Sequence, residues 1–330
     1  MIEVSVIKIL MRDNCSHFFH NVKISFISIR IGQELLTEQW INILTGFFIS
    51  VRLNVFMPEL PEVETIRREL MPHVINHRIN RVKVHRPDTV GYPDAKTFAK
   101  ELTNKRIIDL ERRAKYLIFR LNNNHSLIVH LRLSGQLRIE NGIEPLRFER
   151  VSLFLSEGKR LAFVEPRVLG RVYLVENGKY PDVLKGLKNL GLEPTSSKFS
   201  YEYLKSKLQG RKGIIKSLLL DQSIAAGIGN IYSDEALFLA RIIPTRRANT
   251  LTNDEIKKLA KTLRTVIRAG IKYKGTSVSD YLRPDGSEGH YQMRTYVFDR
   301  EGEKCRHCPG IVLATKISNR TSRYCPKCQR

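Results

Sequence analysis

The stretch Met57-Pro58-Glu59-Leu60-Pro61-Glu62-Val63-Glu64-Thr65 decides how this chain of 330 residues is interpreted. Apolar residues recur at Val63, Ile66 and Leu70, the spacing of one face of a helix. Pro61 suits the first turn of a helix, and the acidic residues that follow it favour the positive end of the helix dipole. The stretch therefore predicts a helix that begins near Pro61.

The rest of the chain changes from a strand pattern to a helix pattern. Short apolar runs at 116–121 and 127–131 predict a hairpin, and three more strands are expected at 151–155, 160–164 and 171–175. Beyond about Lys179 the pattern favours helices at 201–208, 214–220 and 231–240, and Thr252 with Glu255 forms a capping box for another. We therefore expect a mostly β domain followed by a helical one.

The composition predicts an acidic partner and excludes several classes of protein. The chain has 56 Lys and Arg against 33 Asp and Glu, a net charge of +23, and 42% hydrophobic residues. That apolar content is sufficient for packed cores, and the longest uncharged stretch, residues 39–51, is too short to span a bilayer. Nucleic acid is the first candidate partner of such a basic protein.

Four cysteines near the end of the chain have the spacing of a metal site. Cys305-x-x-Cys308 and Cys325-x-x-Cys328 are two knuckles separated by 16 residues. This pattern fits one Zn²⁺ held by four thiolates, and such a closed set of ligands is typical of a structural site. Disulfides or redox-active thiols are the alternative.

Together these features resemble the formamidopyrimidine-DNA glycosylase family, which also includes the endonuclease VIII branch. The resemblance covers residues 57–330 and rests on the opening stretch, the Gly-Ile-Gly-Asn turn at 227–230 and the two cysteine knuckles, in that order. Further matches lie at 112–116, 130–131, 134–135, 191–194, 227–232, 285–286, 314–316 and Arg320.

The resemblance implies an α+β protein of several domains. The expected parts are a catalytic β-sandwich domain with flanking helices at 57–185, a helix-two-turn-helix DNA-binding domain at 186–295, and a four-cysteine zinc finger at 296–330. Damaged double-stranded DNA would lie between the domains, held by phosphate contacts.

The resemblance also implies a base-excision-repair enzyme, a glycosylase and AP lyase for 8-oxoguanine and formamidopyrimidines. Pro58 would be the nucleophile through a free N-terminal amine, and Glu59 would act as acid and base on the sugar. Lys115 would contact the DNA backbone and serve as an acid in β,δ-elimination. Arg320 would bind the phosphate at the cut.

Six further residues are implied to bind DNA after the damaged base leaves the duplex. They are Leu133, Arg167, Leu169, Lys216, Asn230 and Tyr232. Three segments depart from the family pattern. Residues 130–133 are His-Leu-Arg-Leu instead of His-Leu-Gly-Met, and residues 165–170 are Glu-Pro-Arg-Val-Leu-Gly instead of Asp-Pro-Arg-Arg-Phe-Gly. Residues 148–151 are Phe-Glu-Arg-Val instead of His-Asp-His-Val, so one DNA-binding histidine of the family is missing. Leucines can still wedge between bases, although ordinary burial in strands is the alternative for Leu133 and Leu169.

The chemistry of Pro58 bears on residues 1–56, in which we find no motif. Within a longer chain the nitrogen of Pro58 is a tertiary amide, which has no proton and a delocalised lone pair. We therefore expect the active protein to begin at Pro58, after initiation at Met57 and loss of that methionine, and residues 1–56 to be absent from it.

Two other functions stay open from the sequence alone. An endonuclease VIII-like glycosylase would act on oxidised pyrimidines, although Leu60 and the polar segment at 281–291 argue against it. A zinc-finger DNA-binding protein without catalysis would follow if residues 1–56 were retained. We expect a monomer without membrane contact, in the cytoplasm at the nucleoid, and no cofactor besides one structural Zn²⁺.

Overall fold

The computed structural model describes residues 57–277 and 281–330, so the predictions made for residues 1–56 lie outside the described residues. The first half of this part is built on two sheets. The strands are β1 (Ile79–Val84), β2 (Val90–Tyr92), β3 (Ile107–Arg113), β4 (Tyr116–Leu121), β5 (His125–His130), β6 (Gln136–Asn141), β7 (Glu149–Leu155), β8 (Lys159–Val164) and β9 (Arg171–Glu176). One sheet has the strand order β1-β7-β8-β6 and is antiparallel throughout. The other has the order β2-β9-β5-β4-β3, in which only β2 runs parallel to its neighbour β9.

Strand β5 shows how the sequence builds this sandwich. Side chains alternate between the two faces of a strand, so Leu127 and Val129 face one side and Ile128 the other. The first two belong to the core between the two sheets, whereas Ile128 packs in a smaller cluster with Leu184 and Leu187. The strand is central and covered on both faces, which explains its uninterrupted apolar run.

The helix predicted from the opening stretch is α1 (Leu60–Val74), and Pro61 stands in its first turn. Leu60 packs into the core of the helical half, whereas Val63, Ile66 and Leu70 pack into the core of the sandwich. A second helix, α2 (Ala95–Leu102), adds Phe98 to the sandwich core. The first turn of α1 is therefore shared between the two halves of the described chain.

The helical half begins with a short helix and continues with four longer ones. They are α3 (Lys185–Lys188), α4 (Tyr201–Leu208), α5 (Ile215–Leu220), α6 (Asn230–Ala240) and α7 (Asn253–Lys272). The capping box at the start of α7 is confirmed: Glu255 N–H donates to Thr252 Oγ1 (3.3 Å) and Thr252 N–H donates to the Glu255 carboxylate (2.8 Å). Leu259, Leu263 and Ile267 form the buried face of α7.

The last part of the chain is a small hairpin of β10 (Leu313–Ile317) and β11 (Arg320–Tyr324). The architecture confirms the predicted fold class, a β-sandwich with flanking helices, then a helical domain, then a cysteine-containing finger. The exact domain limits at residues 185 and 295 stay a prediction. Among the described residues, no helix combines the length and the apolar character that a membrane span requires.

Candidate active site and metal cluster

The carboxylate of Glu59 lies at the N-terminus of α6, although the two are 170 residues apart in sequence. Gly229 N–H donates to Oε2 (2.7 Å) and Ile231 N–H donates to Oε1 (2.8 Å). The side chain is only 2% exposed, and burial raises the pKa of Glu59 even though Lys115 and the N–H groups of α6 oppose the change. The site thus holds a carboxyl group that retains a proton more readily than an ordinary glutamate does.

The Gly-Ile-Gly-Asn turn explains how Glu59 reaches this position. Leu60 N–H donates to the carbonyl of Gly227 (3.0 Å), which ties the start of α1 to the turn. A Cβ atom on Gly229 would overlap Cδ of Glu59, so only glycine leaves room for the carboxylate. The N–H groups of Gly229 and Ile231 in this turn therefore bind the carboxylate of Glu59.

Glu62 is a second buried carboxyl group beside Glu59, and sequence reasoning missed it. Its carboxylate accepts hydrogen bonds from Glu59 N–H (2.9 Å), the Tyr232 hydroxyl (2.7 Å) and Thr276 N–H (2.9 Å). Burial and the nearby Glu59 raise the pKa of Glu62 to about 7. In sequence it looks like an ordinary acidic residue of a first helical turn, so no local signal could have revealed its role.

Lys115 stands in the turn that joins β3 to β4, where Arg113 and Tyr116 are the last paired residues. It is 7% exposed, and burial together with the charge of Arg320 lowers the pKa of Lys115, while Glu59 opposes this. Arg320 is exposed at the first residue of β11. Lys115 therefore lies within electrostatic range of both Glu59 and Arg320, and Pro58, which is buried, directly precedes Glu59.

Two residues implied to bind DNA are buried instead. Lys216 is 0% exposed; its ammonium pairs with the carboxylate of Asp234 and donates to the carbonyl of Asn230 (2.9 Å). Tyr232 is also 0% exposed, and its hydroxyl donates to Glu62. Neither side chain has exposed surface in this structure, so direct DNA binding by either residue stays a prediction.

Asn230 lies half-buried at the first residue of α6. Its amide nitrogen donates to the carbonyl of Thr321 (2.9 Å), whereas its buried Oδ1 has no hydrogen-bond partner in the described part of the chain. Asp234, one turn further along α6, accepts from Ser322 Oγ and from Arg323 N–H (3.1 Å). These bonds fix the strand that begins with Arg320 against α6.

The two leucines expected to act as wedges lie in loops and not in strands. Leu133 is half-buried in the turn after β5, and Leu169 is 43% exposed in the loop before β9, next to the exposed Arg167. Glu165 braces this loop: it accepts from Gly170 N–H (2.8 Å) and from Arg167 N–H (3.0 Å). Ordinary burial in strands, the alternative for both leucines, does not describe their environment.

The four cysteines converge as their spacing predicts. Their Sγ atoms all lie within 4.8 Å of one another, with 3.8 Å between Cys305 and Cys328 and 3.5 Å between Cys308 and Cys325. Tetrahedral bonds of about 2.3 Å from one ion would separate the sulfur atoms by about 3.8 Å, whereas a disulfide requires about 2.05 Å. The cluster can therefore hold a metal ion, and the disulfide alternative is wrong.

Comparison with known proteins agrees with this geometry. The family model described as the formamidopyrimidine-DNA glycosylase N-terminal domain matches residues 57–172, and the model of the H2TH domain of the same enzyme matches residues 190–281. A formamidopyrimidine-DNA glycosylase of Pelotomaculum thermopropionicum is 42% identical over 275 residues, which cover 83% of this chain and 99% of that protein. One from Prochlorococcus marinus subsp. pastoris is 40% identical over 292 residues, with 83% and 100% covered.

Solved structures lead to the same conclusion. The MutM (Fpg) protein of Thermus thermophilus is 38% identical with a TM-score of 0.75, covering 82% of this chain and 98% of that one. A variant of Lactococcus lactis Fpg in complex with DNA that contains Fapy-dG is 33% identical with a TM-score of 0.77, covering 83% and 100%. These matches, together with the two-sheet domain and the helical domain, show that the chain belongs to the formamidopyrimidine-DNA glycosylase family.

Proposed function

We propose that this protein is a base-excision-repair DNA glycosylase and AP lyase that acts on oxidised purines in double-stranded DNA. One observation carries the proposal: the buried carboxyl group of Glu59 is adjacent to Pro58, and Lys115 is close enough to Glu59 and Arg320 for both to shift its pKa. The Lactococcus lactis relative that was solved with Fapy-dG-containing DNA supports this class of substrate.

In the proposed reaction the secondary amine of Pro58 attacks C1′ of the damaged nucleotide. The bond from nitrogen to C1′ forms as the bond from C1′ to the base breaks, and the base leaves with a proton. The bond from C1′ to the ring oxygen then breaks as that oxygen takes a proton, which leaves an iminium between C1′ and the nitrogen of Pro58. The iminium acidifies the C2′ proton, so β-elimination and then δ-elimination cut the strand. The raised pKa of Glu59 suits a group that first gives a proton to the sugar oxygen and later takes one.

The other residues hold the DNA and assist elimination. The ammonium of Lys115 would contact the backbone beside the lesion and act as an acid, and the guanidinium of Arg320 would bind the phosphate at the cut. Arg167, Leu133 and Leu169 would fill the gap that the flipped nucleotide leaves. Asn230 has an unpaired buried Oδ1, which suits a hydroxyl or water near the DNA. Lys216 and Tyr232 would act through Asn230 and Glu62.

This mechanism requires a chain that begins at Pro58. We propose that the active form arises by initiation at Met57 and loss of that methionine, because an amide nitrogen cannot form the iminium. The matches to the family models support this start, since the first of them begins at residue 57.

We propose that the metal ion of the four cysteines is Zn²⁺. Four thiolates leave no open coordination position, so the ion would contribute structure only, by holding the finger that carries Arg320. The full chain should contain one zinc per molecule by elemental analysis, and a C325S variant should lose it. A C15S variant is the matched control and should retain the metal; zinc retained by both variants would contradict the assignment.

The test of the function is borohydride trapping on a duplex with 8-oxoguanine opposite cytosine. The form that begins at Met57 is compared with the full chain of 330 residues, and a covalent DNA adduct is expected from the short form only. An adduct from both would assign the nucleophile to another amine, such as Lys115. No adduct from either, with DNA still bound, would favour a DNA-binding protein without catalysis.

The same trapping experiment also tests a second class of substrate, oxidised pyrimidines. The Lactococcus lactis Fpg has also been solved with DNA that contains an oxidised pyrimidine, at 33% identity and a TM-score of 0.76. A thymine glycol duplex, trapped in parallel, would reveal endonuclease VIII-like activity if it gave the stronger adduct. DNA binding should weaken steeply with salt, as phosphate contacts do. That the enzyme is a monomer at the nucleoid of the cytoplasm stays a prediction.

A further inference from the structure

The turn that carries Lys115 is fixed by a residue from the other half of the molecule. Ala114, which precedes the lysine, has a φ of +51° and is 1% exposed. Its N–H donates to Oε1 of Glu193 (2.6 Å), which lies 79 residues later, between α3 and α4. A left-handed conformation is costly for alanine, so this hydrogen bond helps to define the turn.

The carboxylate of Glu193 accepts hydrogen bonds from the same hairpin and one from Thr195 Oγ1 (3.2 Å). Arg112 Nη2 donates to Oε2 (2.8 Å) and Arg113 Nη1 donates to Oε1 (3.2 Å). Burial alone would raise the pKa of Glu193, but the hydrogen bonds and charge of Arg112, together with Ala114 N–H, hold it below its ordinary value. Glu193 therefore stays charged and forms hydrogen bonds with the three residues that precede Lys115 in the chain.

The segment around Glu193 is itself held rigidly. Arg113 Nη2 donates to the carbonyls of Leu190 (3.1 Å) and Gly191 (2.6 Å). A Cβ atom on Gly191 would overlap the carbonyl oxygen of Ser223, so this backbone packs tightly against the helical half. The backbone that carries Glu193 is therefore held in place beside the turn that carries Lys115.

Arg112 extends the chain of contacts to the helix that follows Glu59. Its Nε donates to Oε2 of Glu64 (2.9 Å), on α1, while Nη2 holds Glu193. The contacts from Glu64 through Arg112 to Glu193 therefore link three elements: α1, the turn that carries Lys115 and the helical half of the described chain.

We propose that Glu193 is a positioning residue for Lys115, a role that rests on the proposed function of Lys115 in elimination. A lysine side chain is long and flexible, and its ammonium is placed reproducibly only if the backbone beneath it is fixed. Loss of the Glu193 carboxylate frees the turn and moves the ammonium away from the DNA backbone and Glu59. Misplacement of a catalytic group by about 1 Å costs about a hundredfold in rate.

The test is a double-mutant cycle of E193Q and K115M, in whichever form of the chain the trapping experiment finds active. Single-turnover cleavage is measured on DNA with a preformed abasic site, and DNA affinity on the same duplex. E193Q is expected to slow cleavage by about tenfold to a hundredfold and to change affinity by less than about twofold. In the K115M background E193Q should cause no further loss.

The matched control is E111Q, on the same strand β3. Glu111 forms a bidentate pair with Arg120 (2.8 Å from both Nε and Nη2) at a site away from the lysine. E111Q should leave the cleavage rate unchanged. Equal losses from E193Q in both backgrounds, or a loss in E111Q as large as in E193Q, would overturn the positioning role.

A second variant covers the case in which E193Q does not fold. R113M removes one donor to Glu193 and the two hydrogen bonds to the carbonyls of Leu190 and Gly191, but leaves the Arg112 pair. It should therefore slow cleavage less than E193Q would, and again only where Lys115 is present. An R113M effect that persists in the K115M background would overturn the proposal. Excision of 8-oxoguanine by the wild-type chain tests the proposed function separately, so the two failures are distinguishable.

Discussion

Two groups of buried glutamates in this protein have opposite acidities. The arginine-paired group, Glu64 and Glu193, faces Arg112, and the pKa of Glu64 is lowered to about 2 by Arg67, Arg68 and Arg112 in spite of burial. The amide-paired group, Glu59, Glu62 and Glu235, faces mainly backbone N–H groups. Burial raises the pKa of Glu62 and of Glu235 to about 7.

The difference shows how burial changes the pKa of a carboxyl group with and without a neighbouring cation. A guanidinium stabilises the charged form by its full charge and by hydrogen bonds, whereas backbone N–H groups supply only partial charges. The chain thus keeps fixed negative charges where the turn that carries Lys115 meets its neighbours. Glu59, where proton transfer is expected, belongs to the amide-paired group, and burial raises its pKa.

The largest effect should come from E59Q, which removes the acid and base of the amide-paired group. The amide retains one acceptor for the N–H groups of α6, so the fold should persist while 8-oxoguanine excision falls by about 10²- to 10⁴-fold. Single-turnover excision measures the loss. E235Q alters a glutamate held in the same way by Tyr296, Val297 and Phe298 and should excise normally; unchanged excision by E59Q would refute the role of Glu59.

A smaller loss of excision activity is expected when Glu59 is displaced but keeps its carboxylate. In G229A the new methyl group would overlap Cδ of Glu59 and would push the side chain out of the N-terminus of α6. We expect excision to fall by about a hundredfold. G213A, where the nearest atom is 3.3 Å away on the flexible side chain of Leu218, is the control. Equal activity of the two variants would show that the position of Glu59 is not critical.

The pH dependence of stability should distinguish the two groups directly. Because the pKa of Glu235 is raised from 4.5 to about 7, the folded state binds a proton in this range that the unfolded state has lost. Stability should therefore fall as the pH rises from about 4.5 to 7, by up to about 1.4 kcal/mol per pH unit for this group. Glu64 acts in the opposite direction: its contribution is lost as the pH falls from 4.5 towards 2.

Urea unfolding at about pH 5, 6 and 7 measures this slope. E235Q should reduce the slope by the contribution of Glu235, while Glu62, whose pKa is also raised to about 7, maintains the remainder. E255Q is the control. The hydrogen bond from Thr252 N–H and the pairing with Arg246 lower the pKa of Glu255 in spite of partial burial, so this variant should leave the slope unchanged in this range. A wild-type slope retained in E235Q would mean that Glu235 does not hold a proton near neutral pH.

The smallest effect is expected for an ion pair between a basic residue and a glutamate that is exposed to solvent. Lys179 and Glu176 are 2.7 Å apart with side chains 73% and 41% exposed. Solvent screens such pairs, so K179M should leave the midpoint of urea unfolding unchanged. A clear shift of that midpoint would contradict the view that burial separates the two groups of glutamates.

The sequence was sufficient for features that depend on neighbouring residues. Pro61 and its acidic neighbours marked the start of α1, Thr252 and Glu255 marked the start of α7, and the alternating runs marked several strands. The spacing of the two Cys-x-x-Cys knuckles likewise predicted that the four thiols converge. Helix caps, strand alternation and metal knuckles are set by contacts within a few residues, so a linear pattern records them.

Only the tertiary structure decided which charged residues are buried and what they face. Lys216 looks like any basic residue of a DNA-binding protein, yet it lies inside the helical core against Asp234. Glu62 and Glu193 look like ordinary surface acids, yet one retains a proton near neutral pH and the other holds the turn that carries Lys115. Their environments come from segments 79 to 214 residues away, and the acidity of a carboxyl group depends on solvent and charges in space, which sequence spacing does not encode.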